Sequence, residues 1–210
     1  MIKMDMSIPG WMSEPALRII AEHCKRLNRG DSVLELGAYL GRTSATIAHN
    51  CTYGVSIHVV DLWVSQTQEE IKQLREYNER MLTTSDQFYE IDRLMAKYTP
   101  PRFDAEDFYK LWQYNTRSWS NIKHYRDNTQ TINTEQFPDF ELIIMDASHD
   151  YIGTTDELCK WWTKLKPGGT LIIDDYATWD GVQGAVNDFF HSTEHGSLTK
   201  TPYNIALVVK

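Results

Sequence analysis

Apolar residues along this chain gather in short runs that stop abruptly at polar or acidic positions, with longer mixed stretches between them. The runs at 32–36, 56–60, 142–145 and 170–173 are short, rich in Val, Ile and Leu, and bounded by turn residues, so each predicts a buried strand. A weaker strand is predicted at 122–125, and a final pair at 197–201 and 204–209, joined by Pro202-Tyr203. Ser13-Glu14-Pro15 reads as a helix start, with a capping serine, an acid in the first turn and a proline where its missing N–H does no harm. That helix runs to about Leu27, where Asn28-Arg29-Gly30-Asp31 breaks it. Further helices are predicted at 43–49, 155–165 and 181–190. Strands alternating with helices predict an α/β fold: a Rossmann-like, doubly wound, mostly parallel sheet with an antiparallel C-terminal edge.

Between 64 and about 120 the pattern turns polar and helix-prone. Residues 68–81 are rich in Glu, Gln, Lys and Arg, and the Glu69/Gln73 and Lys72/Glu76 spacings suit a solvated helix face. Thr99-Pro100-Pro101 interrupts this region, and a helical pattern resumes at 107–119. It reads as a helical insertion within one domain spanning 1–210: a lid, a homo-oligomer contact or a surface elaboration.

A length of 210 residues fits one domain with a sizeable core. A net charge of −8, with no block of lysines or arginines, argues against nucleic acid as a partner. Cys24, Cys51 and Cys159 are odd in number and without a C-x-x-C pair, which suits a reducing, cytoplasmic setting rather than a disulfide framework or a zinc site. No stretch is apolar for long enough to predict export or a membrane partner.

The chemistry concentrates at the strand ends. Ile143-Ile144-Met145-Asp146 and, 28 residues later, Ile172-Ile173-Asp174-Asp175 are two apolar runs delivering three carboxylates to one sheet edge. Ligands of open α/β sheets bind outside the strands' carboxyl ends, so these acids fall where a metal or a cationic substrate is expected. After the first strand, Gly37-Ala38-Tyr39-Leu40-Gly41 has the spacing G-x-x-x-G, not the G-x-G-x-x-G that cradles a pyrophosphate. Asp61 ends the second strand, 26 residues after Glu35, near the offset at which an acid reaches a ribose in dinucleotide folds. Adenosine with a positive, phosphate-free tail describes S-adenosylmethionine. Helix–strand packing for the glycines, and a turn role for Asp61, are the structural alternatives.

These residues carry a family resemblance. Leu34-Glu35-Leu36-Gly37-Ala38-Tyr39-Leu40-Gly41-Arg42-Thr43-Ser44 resembles the first motif of class I S-adenosylmethionine-dependent methyltransferases, in the small-molecule O-methyltransferase group with the loop E-x-G-x-x-x-G-[RK]-[ST]. Asp61-Leu62-Trp63 is similar to that group's D-P-W, Asp146-Ala147-Ser148-His149-Asp150-Tyr151 to its D-G-x-H-x-Y, and Lys166-Pro167-Gly168-Gly169 with Asp174-Asp175-Tyr176 to its K-P-G-G and D-D-Y. Trp179-Asp180-Gly181-Val182 resembles the start of its closing helix. The departures are Leu62 for proline, Ala147 for glycine, and a longer 64–120 segment.

The resemblance implies a cofactor-binding set of Glu35, Gly37, Ala38, Gly41, Thr43, Asp61, Leu62, Trp63, Asn128 and Asp146. Within it, Glu35, Gly37 and Gly41 face the methionine end, Asp61 the ribose, and Trp63, Asn128 and the neighbouring Thr129 the adenine. Asp146, Asp174 and Asp175 stand where metal-dependent O-methyltransferases of the catechol type carry their ligands, and an all-carboxylate set suits Mg2+, Mn2+ or Ca2+. The alternative is that these acids cap turns and accept backbone N–H bonds. His149 is the candidate base for a substrate hydroxyl and Asp150 the reserve; a strand-end histidine bonded to its own loop is the equal alternative. The expected activity is metal-assisted O-methylation of a small-molecule hydroxyl, on a sugar or a phenol. The rivals are a nicotinamide-dependent oxidoreductase and a noncatalytic binding protein on the same core.

Overall fold

The computed structural model describes residues 1–63, 105–191 and 197–210. In chain order the elements are α1 (Glu14–Cys24), β1 (Ser32–Leu36), α2 (Arg42–Asn50), β2 (Ser56–Asp61), α3 (Ala105–Thr116), β3 (Ile122–Arg126), β4 (Phe140–Met145), α4 (Tyr151–Trp162), β5 (Leu165–Ile173), α5 (Asp180–Phe190), β6 (Ser197–Lys200) and β7 (Ala206–Val209). The strands form one seven-stranded sheet in the order β3-β2-β1-β4-β5-β7-β6. β1 to β5 run parallel, whereas β7 is antiparallel to both β5 and β6. The expected Rossmann-like sheet with an antiparallel edge is the one observed.

The apolar runs form strands because both faces of the central sheet are covered. Val33 and Ile57 face one core cluster, which α1 and α2 complete with Leu17, Ile20 and Ile47. Leu34, Ile143 and Leu171 face the other, closed by Trp161 and Val186 of α4 and α5. A strand covered on both faces reads as a continuous apolar run rather than an alternating one. Sequence order reverses between neighbouring β1 and β4, which makes their carboxyl ends the switch point where this class of fold opens a crevice.

Element ends differ from expectation where packing or capping decides them. α1 stops at Cys24, short of Leu27, as Arg26 and Leu27 close tight turns onto His23 and Cys24. α4 begins at Tyr151, four residues before the expected Thr155, because Asp150 caps it. Lys166-Pro167-Gly168-Gly169 is not a separate turn but part of β5, which pairs with β4 through a register shift between Phe140 and Leu142. The predicted helix at 68–81 lies outside the described residues; of the insertion, α3 is described.

The N-terminal segment is held to α2. Arg42 donates from Nε to the Ile8 carbonyl at 2.6 Å and from Nη1 to that of Gly10 at 2.7 Å, and Asn50 exchanges hydrogen bonds with the Lys3 backbone. Trp11 is therefore carried by a segment tied to the first helix of the glycine-loop unit.

His58, on β2, is buried in an aromatic nest of Tyr125, Phe137 and Phe140, with Nδ1 3.2 Å from the Tyr125 hydroxyl and Nε2 lacking a hydrogen-bond partner among the described residues. Burial, helped by Lys123, pushes its pKa down to about 4. The unfolded chain takes up this proton below its ordinary value of 6.5, while the folded chain resists it until about 4. The histidine's contribution is thus fully present above 6.5 and is lost as pH falls toward 4. Relative to His58→Phe, the wild type should lose roughly 2 kcal/mol of unfolding free energy between pH 7 and 5. Urea titrations of both proteins at the two pH values measure this, and parallel pH profiles would count against it.

Candidate functional site at the β1–β4 switch point

The loop after β1 is shaped by contacts that tolerate no side chain at Gly37. Its φ is +81°, and its amide donates to the Val60 carbonyl at 2.9 Å. A Cβ there would overlap the carbonyl oxygen of Asp146 and come within 2.5 Å of its carbon. Gly41, with φ +95°, is the N-cap of α2 and lies against Trp112 and Thr116 of α3. The first glycine thus lets the β1 exit touch the β4 exit, and the second starts the helix whose N-terminus faces the crevice.

Asp61 closes this loop from the side. One carboxylate oxygen accepts the amides of Ala38 at 2.5 Å and Tyr39 at 2.9 Å, and the other accepts that of Trp63 at 2.5 Å. Burial raises its pKa and those three N–H donors oppose the rise. Trp63 is buried against Tyr109 and Trp112 and donates its indole N–H to the Tyr39 carbonyl at 3.0 Å, while Leu62 is exposed.

Beneath the loop, Glu35 is fully buried. Its Oε2 accepts the Ser44 hydroxyl at 2.5 Å, and Oε1 is buried with no hydrogen-bond partner among the described residues. Burial pushes its pKa up to about 8. Ser44 in turn accepts the Trp112 indole N–H at 3.0 Å, linking α3 to the cofactor side. Thr43 is buried with its hydroxyl 3.8 Å from the Met12 sulfur. Asn128 caps its own turn, accepting the Gln130 amide at 2.7 Å, and Thr129 is turned inward.

On the acceptor side, ligand atoms of Asp146, His149 and Asp175 lie within 4.8 Å of one another. His149 Nε2 is 3.0 Å from Asp175 Oδ2, and the imidazole stacks on Trp179 with ring centroids 4.9 Å apart and planes 13° apart. Asp174 is buried and is not one of the three that converge. The separation of the two neighbouring acids comes from the backbone, because Asp175 turns to φ +60°. There its Oδ1 accepts Asn204 Nδ2 at 2.9 Å, and its carbonyl accepts the amides of Thr178 and Trp179. Burial and the charges of Asp174 and Asp175 hold the Asp146 carboxyl well above the usual carboxylate range, and burial and Asp175 do the same to Asp174. A pocket so crowded with negative charge fits a divalent cation, and two carboxylates with an imidazole are a donor set that can hold one.

Ala147, Ser148, His149, Asp150, Tyr151, Trp179 and Gly181 line a groove of about 550 Å³ outside this cluster, within the usual size of a small-molecule site. Asp150, the reserve base, is the N-cap of α4, accepting the Gly153 amide at 2.9 Å. Gly181 lets α5 press on the segment carrying His149: a Cβ there would lie 2.7 Å from the His149 carbonyl oxygen.

Sequence reasoning did not find Glu157. It is buried on α4, accepting the hydroxyls of Thr129 and, at 2.7 Å, Ser148, so it joins the loops after β3 and β4. Its signal was present: Glu157 shares a helix face with Trp161, four residues on, where an acid has no business unless hydrogen-bonded. Asn204, which holds Asp175, had no such signal.

A family model described as a methyltransferase domain (Methyltransf_24) matches residues 34–176, more than half of the chain. A search of curated protein sequences finds no significant match. Among solved structures, the chain is similar to the O-methyltransferase NovP, with a TM-score of 0.62 and 14% identity over 92% of this chain and 78% of that one. The N-methyltransferase NodS from Bradyrhizobium japonicum WM9 gives 0.53 and 14% over 94% and 96%, and has also been solved with S-adenosyl-L-homocysteine. CalS11, a TDP-rhamnose 3'-O-methyltransferase, gives 0.54 and 14% over 93% and 77%. At such identities the likeness is one of fold; the family match over residues 34–176, on a sheet ordered 3-2-1-4-5-7-6, places the chain in the methyltransferase-domain family of S-adenosylmethionine-dependent enzymes with the class I fold.

Proposed function

We propose that this protein transfers a methyl group from S-adenosylmethionine to a hydroxyl of a small molecule, a phenol or a sugar, with help from a divalent cation. The observation that carries this reading is the convergence of Asp146, His149 and Asp175, where His149 also lines the groove and the Asp146 backbone lies against Gly37 of the glycine loop. S-adenosylmethionine supplies an electrophilic methyl on a sulfonium. Glu35, whose Oε1 is buried without a partner among the described residues, offers a site for the positive methionine end, and Asp61 and Asn128 would flank the adenosine. The three amides on Asp61 leave one lone pair, on Oδ1, for a ribose hydroxyl.

Asp146 and Asp175 would hold Mg2+ or Mn2+, and a cation there lowers the pKa of a nearby hydroxyl. His149 removes the hydroxyl proton, with Asp175 and the Trp179 ring fixing the imidazole plane. The acceptor oxygen then stands beside the methyl donor, and orientation does much of the remaining work.

A second reading rests on the direct 3.0 Å contact between His149 and Asp175. A carboxylate-oriented imidazole is a general base without any ion, and the methylation then needs no metal. Chelation separates the two. Purified protein is assayed for S-adenosylhomocysteine release with a panel of phenols and sugars, with and without EDTA. The metal reading expects turnover to fall at least about tenfold in chelator and to return with Mn2+ or Mg2+. Undiminished turnover in EDTA leaves the His149–Asp175 pair alone, and no release with any acceptor favours a noncatalytic protein.

A further inference from the structure

The charge of the groove selects among acceptors. Of the described residues that line it none is Lys or Arg, and Asp150 contributes a carboxylate directly. Asp146 and Asp175 each bring a carboxylate oxygen within 4.8 Å of a ring nitrogen of the lining residue His149, and Asp180 follows the lining residue Trp179 in the chain. Among the described residues, cations that could have answered these charges are engaged elsewhere. The Arg42 guanidinium is bound to the Ile8 and Gly10 carbonyls, Lys160 to that of Ile132, and Lys200 lies 5.0 Å over the Tyr176 ring. A divalent ion on Asp146 and Asp175 would be balanced by those two carboxylates, so Asp150 on the lining and Asp180 next to Trp179 and Gly181 in the chain would still leave the groove acidic.

One wall of the groove is flat. His149 and Trp179 stack with planes 13° apart, and the half-exposed Tyr151 extends the aromatic surface, its hydroxyl 3.0 Å from Asp188. Such a surface takes the face of an aromatic ring or the C–H face of a sugar, and the one basic group on it, the His149 imidazole, already faces the Asp175 carboxylate at 3.0 Å. The Trp179 indole nitrogen is buried without a hydrogen-bond partner among the described residues.

We propose that the groove takes uncharged or cationic hydroxyl compounds with a flat face and rejects acceptors bearing a phosphate or carboxylate, nucleotide-linked sugars included. This rests on the O-methyltransferase reading and adds the charge class of its substrate.

The test uses matched probes on the S-adenosylhomocysteine-loaded protein: 4-methylcatechol, 3,4-dihydroxyphenethylamine and 3,4-dihydroxybenzoate, together with rhamnose and TDP-rhamnose. Calorimetric titration at low salt should find the neutral and cationic members of each set binding at least about tenfold more tightly than the anionic one. Asp180→Asn should narrow that gap severalfold, as should 0.5 M salt. Equal or tighter binding of dihydroxybenzoate or TDP-rhamnose overturns the proposal, and so does binding by none of the probes. Methyl transfer is followed separately with the same set. Charge-selective binding without any S-adenosylhomocysteine product would leave the selectivity standing and sink the O-methyltransferase reading, whereas turnover confined to anionic acceptors would do the reverse.

Discussion

Gly37→Ala is expected to abolish S-adenosylmethionine binding and to cost roughly 3 kcal/mol or more of folding stability. Two effects combine at this residue. A φ of +81° lies in the left-handed region, where an L side chain costs about 1–2 kcal/mol. The larger effect is steric, because the added Cβ would overlap the Asp146 carbonyl. That atom is backbone at the end of β4 and cannot swing aside. The β1 and β4 exits would have to separate, breaking the bond from the Asp146 amide to the Leu36 carbonyl at 2.8 Å and displacing the Asp146 carboxylate. Gly168→Ala is the control, since its φ of +79° carries the same backbone strain but nothing lies within 4 Å of the added atom. Urea denaturation and S-adenosylhomocysteine titration of both variants should therefore diverge. Wild-type affinity in Gly37→Ala would show that the two strand ends are not in contact.

Asp175→Asn is expected to lower kcat/KM by about 10²- to 10³-fold while changing stability by less than about 1 kcal/mol. Asparagine tolerates the left-handed φ of +60° and can still meet Asn204, so the turn survives. What is lost is the charge facing His149 at 3.0 Å and one of the two carboxylates assigned to the cation. Asp174→Asn, one residue earlier, should cost much less in activity, because Asp174 is outside the converging group. Steady-state kinetics with thermal melting on the two variants measures the contrast. Equal losses would place Asp174 in the site after all, and full activity in Asp175→Asn would remove the dyad and the cation together.

Much of the fold was legible because it depends on burial. The apolar runs ending at Leu36, Val60, Met145 and Ile173 could only be strands covered on both faces, and the G-x-x-x-G spacing marked the turn after the first. Boundaries were less legible where a side chain's partner lies far along the chain. Nothing in Lys166-Pro167-Gly168-Gly169 announces that β7 holds it in the sheet, through the Gly168 amide on the Lys210 carbonyl and the Lys210 amide on the Gly169 carbonyl.

The roles of individual polar residues divide in the same way. Asp150 was readable as an acid near the site, yet the same carboxylate is the ideal cap for α4, and the geometry shows it capping. Trp63 stood in a motif that implied the adenine, and it is packed against Tyr109 and Trp112 of α3 or beside it.

By itself, the sequence determined that the chain builds a mostly parallel sheet, that a tight glycine loop follows its first strand, and that acidic residues end the strands on both sides of the switch point. Burial patterns and spacing carry that much, since both are local. Only the tertiary structure decided which of the neighbouring acids converges with Asp146 and His149. Asp174 and Asp175 are chemically identical neighbours, and the positive φ at Asp175, held by Asn204 from the distant β6–β7 connection, turns one toward Asp146 and His149 and leaves the other behind. Side-chain direction at a strand end depends on a backbone turn stabilised from across the molecule, and no local pattern encodes it.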